Sequence, residues 1–128
     1  MTITDRLKAI ECCRLRRLKE QLLVDAFSKP LMTDIEALPK LYARFKEVCN
    51  TANRDNTKIF ILIVFYLYSP VSLISKRIVK GPLRRKVGEV LGISGSAVTR
   101  HFVDAKILFA HHQGFKEETE RVFSALND

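Results

Sequence analysis

The run Ile59-Phe-Ile-Leu-Ile-Val-Phe-Tyr-Leu-Tyr68 limits the possible folds more than any other feature, because ten consecutive apolar residues must leave water together. Its β-branched and aromatic content would suit a strand, yet the chain offers no partner strand. It is about half as long as a bilayer-spanning helix, and Pro70 follows almost at once. The expectation is a buried central helix ended or kinked at Ser69-Pro70, inside an all-α, compact multi-helix domain. With 128 residues, 47% of them apolar, and no internal repeat, residues 1–128 read as a single domain.

The segments around this run read as helices separated by turn residues. Thr4 with Asp5 is expected to cap a first helix over 4–27, where Ile3, Leu7 and Ile10 share one face and Leu15, Leu18 and Leu22 continue on a shifted one. That slip, with Arg14, Arg16, Arg17 and Lys19 between, argues against a long coiled coil. It leaves either an ordinary amphipathic helix or a short homodimer contact. Pro39 suits the first position of a second helix, Lys40 to about Ala52, with Leu41, Phe45 and Val48 inward. Asn50, Asn53, Asp55 and Asn56 then supply turn chemistry, and a short helix is expected around Val71 to Ile78. Near the end, Gly114 is expected to terminate a helix. The last helix, to about Leu126, then turns Phe115, Val122, Phe123 and Leu126 inward and carries Glu117, Glu118 and Glu120 near its start.

From Pro82 to Phe109 two helices are expected to meet at a tight turn. Leu83, Val87, Val90 and Leu91 share a face of the first. Gly92 stands where the chain leaves that helix with positive φ, Ile93 plugs the corner, and Ser94 accepts from amides at the start of the second. In the second, Val98, Phe102, Ala105 and Phe109 recur at spacings of four, three and four, which marks the buried face. Gly88 is small where the helices should cross, so a bulkier side chain would push them apart.

The segment 82–109, with its Gly-Ile-Ser-x-Ser-x-Val-x-Arg-His-Phe core, resembles a helix-turn-helix DNA-binding domain. It is most similar to the motifs of LuxR-type regulators and of the fourth region of sigma factors. Phe102 supplies the apolar residue four positions after Val98. Gly88 stands where Ala is commoner, and Gly95 puts no side chain at the tip of the second helix. The resemblance implies that the second helix lies in the major groove of double-stranded DNA.

Helical geometry places Ser96, Thr99, Arg100 and Val103 opposite the apolar stripe, available to base edges. Arg100 suits a bidentate contact to guanine, Ser96 and Thr99 a base or phosphate, and Val103 a thymine methyl group. His101 lies beside the buried stripe and reads as a boundary residue packed on a neighbouring helix.

The charge distribution agrees. The formal net charge is +8, and residues 58–106 hold nine basic residues against two acidic ones, which favours a polyanionic partner. Lys76, Arg77, Lys80, Arg84, Arg85, Lys86 and Ser94 are the expected contacts to the DNA backbone.

Catalytic signatures are weak. Gly92-Ile-Ser94-Gly95-Ser96 lacks the final glycine of a nucleophile elbow and sits in a helical rather than a strand pattern. Neither a dinucleotide nor a phosphate loop occurs, and Cys12, Cys13 and Cys49 form no Cys-x-x-Cys pair. Adjacent His111 and His112 point in different directions on a helix, so they read as a cap and a surface residue rather than metal ligands. The start alternates charge with apolar residues and lacks a secretory core. The chain is therefore read as a cytoplasmic transcription regulator, not an enzyme, without cofactor, metal or membrane partner. The rival reading is a helical protein–protein interaction adaptor with a basic face.

Overall fold

The computed structural model describes residues 2–14, 30–73 and 81–127, and all regular structure among them is helical. Six α-helices are present there: α1 (Ile3–Arg14), α2 (Leu38–Val48), α3 (Asn56–Tyr68), α4 (Pro82–Leu91), α5 (Gly95–His111) and α6 (Gln113–Leu126). Short 3-10 turns occupy Ile35–Ala37 and Pro70–Leu73. The fold is all-α. No helix among the described residues is long and apolar enough to cross a membrane.

The apolar run forms most of α3, and all ten residues from Ile59 to Tyr68 are buried. A helix apolar all round must be covered all round. α5, α6 and α4 pack against it, and α2 lies against both α6 and α4. Aromatic contacts tie these layers: Phe60 meets Tyr42 and Phe45 of α2 at 4.8 and 5.1 Å, and Tyr66 meets the Phe123 ring edge-on at 5.2 Å. The end of α3 is strapped by residues 31–34. The amides of Leu31 and Met32 both donate to the Leu67 carbonyl, and the Tyr68 hydroxyl donates to the Asp34 carbonyl at 2.7 Å. Ser69 ends the helix ahead of Pro70, as expected, but a 3-10 turn follows where a short helix was expected. The remainder of that segment, residues 74–80, lies outside the described residues.

Four expected boundaries shift. α1 begins at Ile3, one residue early, because Thr2 rather than Thr4 caps it. The Asp5 amide donates to Thr2 Oγ1 at 3.1 Å, and the Thr2 amide donates back to Asp5 Oδ2 at 3.4 Å. Thr4 instead meets Glu120 of α6, whose carboxylate accepts from the Ile3 and Thr4 amides and from the Thr4 hydroxyl. α2 runs Leu38–Val48 rather than Lys40 to Ala52. It ends where Cys49 turns extended, and the side-chain amide oxygens of Asn50 and Asn53 then bond backbone amides two residues on.

The fourth boundary is the start of α6. Gly114 lies inside its first turn instead of terminating α5. His112 does that work: it is extended, at φ −117° and ψ 106°, and its Nδ1 accepts from the Phe115 amide at 3.0 Å. A Cβ on Gly114 would sit 3.2 Å from the imidazole, so the small residue leaves room for the cap. Glu117, Glu118 and Glu120 consequently lie beyond the first turn, and Glu120 serves the start of α1 rather than that of its own helix. Phe115, Val122, Phe123 and Leu126 are buried as expected.

Candidate nucleic-acid interface

The α4–turn–α5 unit is built by local rules. Gly81, at φ 100°, delivers the chain to Pro82, whose ring suits the first helical position and needs no amide partner. At the other end Gly92 adopts φ 72° and ψ 33°, and the Ile93 amide reaches back to the Gly88 carbonyl at 2.9 Å. Ile93 then packs on the core, and Ser94 Oγ accepts from the Ala97 amide at 3.1 Å to start α5. Gly88 is buried, but for a different reason from the helix crossing. An added Cβ would lie 2.7 Å from the Ile93 carbonyl oxygen, whereas Val98 of α5 stays 3.6 Å away. The turn itself requires the glycine.

α5 presents two opposed stripes. Val98, Phe102 and Ala105 are buried, and Phe109 packs on the core at partial exposure. On the other side Ser96, Arg100 and Val103 are exposed, with Val103 44% accessible. Ile107 continues that line four residues further and is 56% accessible, although its apolar side chain reads as a core residue in isolation. Its signal is the spacing of four from Val103. His101 is half-buried at the edge of the stripe.

Thr99 differs from its exposed neighbours. It is half-buried, its hydroxyl donates to the Gly95 carbonyl at 3.2 Å, and it accepts from Arg84 Nη1 at 3.3 Å. Arg84 therefore bridges α4 to the first turn of α5. Between the two helices an open cleft of about 530 Å³ is lined by Arg84, Arg85 and Glu89 on one side and Gly92, Ile93 and Gly95 on the other.

The remaining cations divide. Arg85 and Arg100 are exposed. Lys86 is drawn to Glu36, with Nζ 3.3 Å from Oε2. Lys106 turns inward: its Nζ donates to the Ser72 carbonyl at 3.2 Å and lies 4.9 Å from the centre of the Phe102 ring. Burial holds its ammonium below the usual lysine range. Lys76, Arg77 and Lys80 lie outside the described residues, as do residues 15–27 of the expected dimer helix. Ile3 and Leu7 of α1 pack on the chain's own core.

A second concavity, of about 660 Å³, lies away from the outward face of α5. Apolar side chains including Leu31, Met32, Leu41 and Phe123 line it, together with Arg6, Lys40 and Arg44. No group of three metal-ligating side chains occurs among the described residues. No family model matches the chain, and neither does any curated protein or solved structure.

Proposed function

We propose that this chain is a cytoplasmic, sequence-specific double-stranded DNA-binding protein of transcription-regulator type, with α4 as the supporting helix and α5 as the reading helix of a helix-turn-helix. One observation carries the reading: Ser96, Arg100 and Val103 form an exposed stripe on a helix whose opposite face is anchored in the core, with Arg84 and Arg85 beside its first turn. A rigidly backed helix face with cations at its start suits a groove flanked by phosphates. A single reading helix binds weakly, so two copies on neighbouring half-sites belong to the proposal.

Polarisation of a labelled mixed-sequence duplex tests it. With about five phosphates neutralised, log K falls with log salt at a slope of about −4 to −5. Arg100→Ala weakens binding to the preferred sequence by about 1–3 kcal/mol while leaving the melting temperature unchanged. Affinity that responds neither to salt nor to Arg100→Ala overturns the reading.

A second reading, the protein-binding adaptor, is favoured by the apolar concavity beside Arg6, Lys40 and Arg44, where Leu31 is 50% accessible. An apolar concavity lined also by cations suits an acidic amphipathic segment. Under that reading Leu31→Arg abolishes partner binding, whereas under the DNA reading it leaves duplex affinity intact.

A further inference from the structure

Arg84 sits on the supporting helix, yet its guanidinium lies against the first turn of α5. A Cβ built on Gly95 would meet Nε at 3.2 Å, Cζ at 3.5 Å and Nη2 at 3.6 Å. Three atoms of one planar group within 3.6 Å of that position mean that the guanidinium borders the space a side chain at residue 95 would fill. Nη1 meanwhile donates to Thr99 Oγ1, and that hydroxyl is oriented by its own bond to the Gly95 carbonyl. Gly95 and Thr99, one turn apart, thus form a notch and a peg for an arginine from the neighbouring helix.

Gly95 is the first residue of α5 and its φ is not positive, so backbone geometry does not require a glycine there. Thr99, for its part, has committed its hydroxyl to internal partners and has little left for a base edge. A guanidinium carries five N–H donors, and the bond to Thr99 uses one of them.

We propose that Arg84 is a preorganised contact to a DNA backbone phosphate, and that Gly95 and Thr99 are its positioning residues rather than base readers. This rests on the DNA-binding reading and assigns the parts within it. Ser96, Arg100 and Val103 carry sequence discrimination, while Arg84, oriented by its bond to Thr99, sets the register of α5 on the backbone. Holding a long side chain in its bound pose lowers the entropy lost on association.

Gly95→Ala is the informative variant, because it alters neither the charge nor any donor of Arg84. The added methyl meets only the movable end of a flexible side chain, so the fold persists. Duplex affinity of the full chain is measured at several salt concentrations for the wild type, Gly95→Ala, Thr99→Val, Arg84→Ala and the double variant Gly95→Ala/Arg84→Ala. Gly95→Ala and Thr99→Val are expected to weaken binding about threefold to tenfold across sequences, with the melting temperature of Gly95→Ala close to that of the wild type. Arg84→Ala weakens it further and reduces the salt slope by about one. In the Arg84→Ala background Gly95→Ala adds nothing.

An equal loss from Gly95→Ala in both backgrounds overturns the positioning role, and so does an unchanged affinity in Gly95→Ala beside a loss in Arg84→Ala. If Thr99→Val changes sequence preference instead of affinity across sequences, Thr99 is a base reader. A wild-type chain that does not bind duplex at low salt overturns the DNA-binding reading and this assignment together, whereas a binding wild type with independent Gly95 and Arg84 overturns this assignment alone.

Discussion

The ring of Phe65 lies 4.4 Å from that of Phe102, tilted by 36°, and both residues are almost fully buried. Phe65 belongs to the apolar α3 and Phe102 to the inner stripe of α5, so the exposed stripe is aimed from behind by a helix buried from Ile59 to Tyr68. The direction in which the outer stripe of α5 faces depends on this backing.

Phe102→Ala removes the contact and leaves a cavity beneath α5, with an expected loss of about 3–5 kcal/mol. Leu62→Asp is more severe, because an unpaired carboxylate would stand where exposure is zero. Denaturant titration followed by circular dichroism should show cooperative unfolding at much lower denaturant for Phe102→Ala, and loss of the folded state for Leu62→Asp. Native-like melting in Leu62→Asp contradicts the core assignment.

The turn between α4 and α5 predicts opposite reasons for two similar losses. Gly92→Ala forces a Cβ into the left-handed region and destabilises by about 1–2 kcal/mol, although nothing lies within 4 Å. Gly88→Ala has allowed backbone but collides with the Ile93 carbonyl, at about 1–3 kcal/mol. Gly92→Asn separates the cases, since asparagine tolerates left-handed backbone and should recover part of the loss at that position.

Glu120 holds the start of α1 from α6. Its carboxylate accepts from two amides and a hydroxyl at distances of 3.0–3.4 Å, at the end of the helix where the dipole favours negative charge. Glu120→Ala is expected to destabilise by about 1–3 kcal/mol, and Glu120→Gln by less because an acceptor remains. Amide hydrogen exchange of Ile3 and Thr4 should quicken in both variants before that of α3 does.

Alkaline stability carries a signature of two phenols. Burial pushes the Tyr66 hydroxyl above its usual range, with the nearby Arg6 opposing and Glu120 adding to the shift. Burial does the same to Tyr68, helped by the charge of Asp34. The folded chain therefore keeps these protons at a pH where the unfolded chain releases them. The stability involved is complete below pH 10 and is lost as pH rises through the folded values. Lys106 acts in the opposite direction, because its lowered value makes stability rise toward pH 10.5. Comparing wild type with Tyr66→Phe cancels the lysine contribution. The stability of the wild type relative to that variant should fall above pH 10 in urea titrations, and a constant difference would contradict the assignment.

The buried helix α3, the opposed stripes of α5, the positive φ of Gly92 and the Ser94 cap were all legible from residue type and spacing. Each depends on interactions within a few residues, where helical period, a missing Cβ or a short hydroxyl side chain leaves little choice. The same rules misplaced Gly114, because a histidine in extended backbone capped α6 where a glycine stop was expected. They assigned Glu120 to the start of its own helix and were silent on its partner Thr4, which is 116 residues away. They were silent too on how the cations divide: Lys86 toward Glu36, Lys106 into the Phe102 ring, Arg84 onto Gly95. Charge can be counted along a chain, but a lysine or arginine side chain swings over several ångströms. Its acceptor is chosen only once packing has brought distant segments within reach.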